Sequence, residues 1–140
     1  MKKYFFIIFA IFILSAPFYA AHAQNFEKLF YLSPAKEKTG IESIKKNHQK
    51  IDILAPQVYG VTASLKVVGG PSKNLRAVIK DYNLKVMPLL ANGGFSQTII
   101  HNLLKSPSAQ DKIIDFLVKE AKNKSYIGWQ FDFENISYKD

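Results

Sequence analysis

The chain has 140 residues, 48% hydrophobic and 14% aromatic, with a formal charge of +8 and no cysteine. This composition excludes a disordered tail, a collagen-like repeat and a disulfide scaffold. Without cysteine, thiol catalysis, cysteine-based zinc sites and a lipid-modified N-terminal cysteine are excluded as well. The length suits one ordinary domain.

The first 23 residues read as a secretory signal peptide. Lys2 and Lys3 give a positive start, an apolar run follows from Tyr4 to Leu14, and Ala21-His22-Ala23 supplies a small-residue exit before Gln24. Pro17 interrupts the stretch near that exit, and the run is short for a membrane span. The expectation is therefore export after cleavage, to the periplasm, cell surface or medium, with no stable membrane insertion. Cleavage removes two lysines and lowers the charge from +8 to +6. Arg76 is the only arginine and the lysines are scattered. Base and phosphate readout in nucleic acids leans on arginine forks, so no nucleic-acid partner is expected.

The remaining 24–140 alternate between strand and helix patterns. Lys28–Leu32 is a short aromatic-containing strand closed by Ser33-Pro34. From Glu37 to Lys50 apolar positions are sparse, chiefly Ile41 and Ile44, which predicts a surface helix with a narrow buried stripe. Ile51–Val61 reads as a buried strand with Pro56 at an irregularity. Thr62–Lys73 is a loop with a small hairpin near Leu65–Val68.

Leu75, Val78, Ile79 and Tyr82 have helical spacing over Asn74–Tyr82. Lys85–Leu90 is the next strand, stopped by Ala91-Asn92-Gly93-Gly94. Ser96 is placed to cap a helix through Leu104. Ser108, with Asp111 in the capping-box position, is placed to cap another through about Lys122, burying Ile113, Ile114, Leu117, Val118 and Ala121. Tyr126–Phe133 is the last strand.

The order βαβαβαβ implies a parallel sheet with right-handed crossovers. A closed (β/α)8 barrel needs roughly 250 residues. The expected fold class is thus α/β, either a small open sheet or a half-barrel comprising the first four βα units of a TIM barrel.

The last strand carries the chemistry. In Gly128-Trp129-Gln130-Phe131-Asp132-Phe133-Glu134 the aromatic residues alternate with Gln130, Asp132 and Glu134. A parallel strand covered on both faces is normally apolar throughout, so a polar trio on one side is unusual. In a barrel the aromatics face the helices and the trio faces the lumen, with Glu134 at the carboxyl end where barrel sites are built. Two carboxyls at i and i+2 can share a proton or hydrogen bond, which suits general-acid chemistry. The structural alternative is the solvated end of an edge strand.

Residues 128–135, Gly-Trp-Gln-Phe-Asp-Phe-Glu-Asn, resemble the fourth-strand signature D-G-x-D-x-D-x-E of glycoside hydrolase family 18, the chitinase family. Ala91-Asn92-Gly93-Gly94 resembles the family's S-x-G-G motif. Ile53–Tyr59 and the ending Asp-Phe-Glu-Asn look most like the branch of spore-cortex and cell-wall N-acetylglucosaminidases. The resemblance spans Phe26 to Asp140, as the front half of the family's barrel.

It implies that Glu134 is the catalytic acid and Asp132 its assisting aspartate. Two positions depart from the signature: Ile127 replaces its first aspartate and Gln130 its second. A glutamine can hydrogen-bond Asp132 but cannot share a proton with it as a carboxylate does. The related branch tolerates an amide there.

The implied chemistry is substrate-assisted retaining hydrolysis, an exception among glycosidases that otherwise use two carboxylates across the bond. The partner is then an N-acetylhexosamine-containing polysaccharide, of chitin or peptidoglycan type. Tyr31, Gln57 and Tyr59 near the first two strand ends are candidate sugar contacts, each with core packing as the alternative. Asn92 is placed to touch a sugar hydroxyl or to hold a turn, and Gln130 to contact Asp132. No cofactor is implied, and His48 and His101, on separate predicted helices, indicate no metal site.

Two further readings stand beside hydrolysis: a non-catalytic, lectin-like relative that keeps the pocket, and a small exported α/β domain with no sugar role. On the half-barrel reading, these 140 residues alone are expected to lack activity and to expose an aggregation-prone sheet edge.

Overall fold

A computed structural model describes residues 26–140. The expected leader, 1–23, lies outside the described residues. No helix among the described residues is long and apolar enough to cross a membrane.

In chain order the elements are β1 (Leu29–Leu32), α1 (Glu37–Asn47), β2 (Ile53–Val61), β3 (Val67–Gly69), α2 (Lys73–Asp81), β4 (Lys85–Val86), β5 (Leu89–Asn92), α3 (Gln97–Leu104), α4 (Pro107–Lys124) and β6 (Gln130–Asp132). The sheet runs β1-β2-β5-β6, all parallel, with β4 parallel to the start of β2 and β3 antiparallel to its end. It is an open, unclosed sheet: β1 and β6 are its edges.

The strand expected over Lys85–Leu90 is split at Met87-Pro88, because proline has no N–H to give the ladder. Its second half runs on through Ala91 and Asn92, the residues expected to stop it. The last strand is shorter than the expected Tyr126–Phe133. Even so, Ile127 N–H reaches the Val86 carbonyl at 2.9 Å and Gln130 N–H the Pro88 carbonyl at 2.9 Å, so the chain runs beside β4 before β6 begins.

Helix starts follow local chemistry. Ser72 caps α2 by accepting from the Leu75 N–H at 3.1 Å. Ser96 precedes α3 as expected, but without a side-chain cap. α4 does not start at Ser108. It begins at Pro107, whose fixed φ suits the first helical position, and the Ser106 carbonyl receives the N–H groups of Ala109 and Gln110. Its buried stripe is Ala109, Ile113 and Leu117, while Ile114 and Val118 of the expected face are exposed.

Two core clusters sit on the helix side of the sheet. Leu32, Leu54, Ile44, Leu75 and Val78 join β1 and β2 to α1 and α2. Val61, Leu90, Ile100, Leu103, Ile113 and Leu117 join β2 and β5 to α3 and α4. The other face of the sheet carries Tyr31, Gln57, Gln130 and Asp132 around Leu89.

Candidate functional site

β2 supplies the first part of the site through a break in its own periodicity. Gln57 pairs with Leu89 and Tyr59 with Leu90, so two steps on β2 match one on β5 and Val58 is the extra residue of a β-bulge. Without a bulge, residues 57 and 59 would face the same way. With it, Gln57 turns to the uncovered face and Tyr59 to the helices.

On the uncovered face four predicted residues meet. Gln57 Nε2 donates to Asp132 Oδ2 at 3.1 Å, and Tyr31 Oη donates to Gln130 Oε1 at 2.8 Å. Tyr31 and Gln130 belong to opposite edge strands, three strand spacings apart, which in a flat sheet is about 14 Å. Their contact requires the sheet to curl, and it makes this face concave. The resulting cleft has a volume of about 360 Å³ and is lined by Tyr31, Ser33, Gln57, Gln130 and Asp132, with Leu89 and Phe131 among its apolar walls. Ser33 escaped sequence reading because it stood there only as the end of a strand.

Tyr59 is not part of this cleft. It is 4% exposed, in the core between the sheet and the helices, so the core-packing alternative describes it. Its hydroxyl donates to Glu120 Oε1 at 2.9 Å and lies 2.9 Å from the Tyr126 hydroxyl. With its one proton spent on Glu120, it must accept from Tyr126. Burial, and then the hydrogen bond donated to Glu120, push the Tyr59 phenol well above the ordinary tyrosine range. Burial likewise raises that of Tyr126. Trp129 closes this region, edge-on to Tyr59 at 4.9 Å and donating from Nε1 to the Leu117 carbonyl at 3.1 Å. The expectation that Trp129 faces the helices agrees with this placement.

Asn92 is 1% exposed and holds a turn. Its Nδ2 donates to the carbonyls of Ser96 (3.0 Å) and Glu134 (3.1 Å), and its Oδ1 accepts from the Glu134 N–H (3.0 Å). Both amide protons are used, so nothing is left to donate to a sugar. The side chain clamps the main chain of Glu134 from both sides instead. Asn135 adds to the same tie by donating to the Phe95 carbonyl at 2.8 Å. The loop that carries Asn92 needs its glycines: a Cβ on Gly93 would stand 2.8 Å from the Val61 carbonyl oxygen, and Gly94 has φ of 60°.

Glu134 lies two residues beyond β6 and is exposed. It is not among the residues lining the cleft. The structure therefore gathers Tyr31, Gln57, Gln130 and Asp132 into one polar concavity. It leaves Glu134 exposed outside that concavity, with its backbone fixed by Asn92, and Tyr59 on the opposite face.

The chain is a curled parallel α/β sheet with helices on one side and a polar cleft at its carboxyl end, and solved structures share this fold. A chitinase from Chromobacterium violaceum ATCC 12472 superposes with a TM-score of 0.61 at 24% identity, over 76% of this chain and 35% of that one. The spore cortex-lytic enzyme SleL of Bacillus cereus gives 0.70 at 18% identity, over 81% and 29%. SleL of Bacillus megaterium QM B1551 gives 0.64 at 27% identity, over 79% and 27%. The chain thus spans between 27% and 35% of the length of these structures. Neither a protein-family model nor a curated protein matches the sequence. The likeness is one of fold.

Proposed function

We propose that this chain is the amino-terminal half of the catalytic barrel of an exported glycoside hydrolase of family 18 type, acting on β-linked N-acetylglucosamine in chitin-like or peptidoglycan chains. The observation that carries this reading is the concave cluster, with the Gln57–Asp132 pair at its centre and Glu134 anchored two residues further on. The fold shared with a chitinase and two cortex-lytic enzymes supports it. The half-barrel reading draws support from the open edges and from Phe131, 61% exposed on β6. An uncovered apolar strand edge calls for another strand or layer.

In this mechanism the carbonyl oxygen of the sugar's own 2-acetamido group attacks the anomeric carbon. Glu134 protonates the departing glycosidic oxygen and then, as carboxylate, takes a proton from the water that opens the cyclic intermediate. Asp132, held by Gln57, orients the acetamide and balances charge on its nitrogen. Gln130 is engaged by Tyr31 rather than by Asp132, so Gln57 fills the place of a hydrogen-bonding neighbour to the aspartate. A polysaccharide substrate and an exported location follow from the same reading.

One observation favours a second reading. The cleft itself is lined by amides, hydroxyls and one carboxylate, with Glu134 outside it, an arrangement that also suits a carbohydrate-binding relative without hydrolysis.

The experiment is hydrolysis of a fluorogenic N-acetylglucosaminide and of purified peptidoglycan by the full-length polypeptide carrying this sequence. The enzyme reading expects turnover that Glu134→Gln abolishes while sugar binding persists. Binding without any turnover in the unaltered protein supports the lectin-like reading. Neither binding nor turnover overturns both.

A further inference from the structure

A second concavity lies on the helix side, at the amino ends of the strands, between α2 and the carboxyl end of α4. Its volume is about 560 Å³. Arg76, Lys80, Lys85 and Lys124 line it, together with the donors Asn83 and Ser125, and no carboxylate does. Arg76 and Lys80 are four residues apart on one face of α2, which presents both to the same space, and Asn83 follows just beyond the helix end. We propose that this groove is an anion site for a phosphate-bearing ligand.

The charge balance favours it. None of the four cations lies within 4.0 Å of a carboxylate oxygen among the described residues, where the ion pairs are Lys28–Asp52 and His101–Asp140. Lys80 and Lys124 stand in the last turns of their helices, and each helix carboxyl end offsets about half a charge. Glu120, engaged by Tyr59, adds one negative charge nearby, and Asp52, which also feels Lys85, is already held by Lys28. Four positive charges therefore exceed what surrounds them.

A concave site with apolar walls, here Ile79, Val86 and Ile127, focuses such a field. Arg76 is oriented by donating from Nη1 to the Pro71 carbonyl at the groove wall. A phosphate group has the charge and the several acceptor oxygens to take contacts from arginine, lysines and amides together. The groove is distinct from the cleft of Tyr31 and Asp132, and this inference does not depend on the glycan reading.

Calorimetric titration of the full-length protein with pyrophosphate, at constant ionic strength, tests the proposal. The expected result is saturable single-site binding that weakens by at least about tenfold in Arg76→Gln/Lys124→Gln. It should be unchanged in Lys45→Gln/Lys46→Gln on α1 and unaffected by N-acetylglucosamine oligosaccharides. All four substituted residues are exposed, so the variants keep the fold, which thermal melting verifies. Displacement of pyrophosphate by a poly(glycerol phosphate) oligomer would mark a polymer as the source of the phosphate. Preference for pyrophosphate over it would mark a soluble one, and both support the site. Absence of saturable binding, or equal weakening in the α1 control, overturns it.

Discussion

β2 feeds two hydrogen-bonded clusters on opposite faces of one sheet. On the helix side, Tyr59, Tyr126 and Glu120 satisfy one another beneath the helices and beside Trp129. On the concave side, Gln57 and Asp132 form one bond at the wall of an open cleft. The first cluster spends its polar groups on itself and contributes to stability. The second keeps acceptor capacity facing solvent, where a ligand can use it. One inserted residue, Val58, separates a buried tyrosine from a cleft-lining glutamine two positions before it.

The sharpest way to probe that contrast is the residue that ties β5 to the backbone of Glu134. Asn92→Ala removes three hydrogen bonds at a buried position and should cost about 3 kcal/mol, at about 1 kcal/mol each. Chemical denaturation measures the loss, and amide exchange at Glu134 should accelerate with it. An exchange rate at Glu134 left unchanged would contradict Asn92 as the anchor of that backbone.

Tyr59→Phe comes next. It leaves the Glu120 carboxylate and the Tyr126 hydroxyl each short of a partner, for about 2 kcal/mol in the same assay. A loss near zero would mean that water already serves these groups.

The tyrosine pair also predicts a pH response. The folded state raises both phenols above their unfolded value near 10. Their contribution is therefore complete below about pH 10 and is lost as pH rises beyond it. Alkaline denaturation curves should show this loss, and Tyr59→Phe should reduce it.

The smallest stability effects belong to the concave side. Gln57→Ala and Tyr31→Phe remove partly solvated hydrogen bonds and should cost under about 1 kcal/mol each. Both should nonetheless weaken binding of N-acetylglucosamine oligosaccharides. Thermal melts beside binding isotherms separate the two quantities, and a large stability loss with unaltered binding would invert the division between the faces.

The alternation of strand and helix was legible because apolar runs and helical spacing report local burial directly. Trp129 and Asp132 could be sorted to opposite faces because the period-two pattern holds from Trp129 through Asp132. The bulge at Val58 was hidden, since an apolar β-branched residue there fits a regular strand equally well. Proline at 88 marked a break, but its position inside a paired segment depends on which strand lies opposite.

Ser108 satisfied a capping pattern that Pro107 pre-empted with its own φ. The Tyr31–Gln130 contact joins residues 99 positions apart and arises only once the sheet curls, and the Asn92–Glu134 contact, across 42 positions, arises only once β5 and β6 pair. Such contacts come from tertiary geometry, for which local spacing holds no signal.

We propose that the concave cluster, and not the buried tyrosine cluster behind it, meets the sugar. Titrating the full-length protein with an N-acetylglucosamine oligosaccharide, while following the side-chain amides of Gln57 and Gln130 and the indole of Trp129 by NMR, tests this most directly. Saturating shifts of both glutamine amides, abolished by Asp132→Asn with the indole unmoved, are predicted. A saturating response at the indole alone, or still glutamine amides in the bound state, would contradict it.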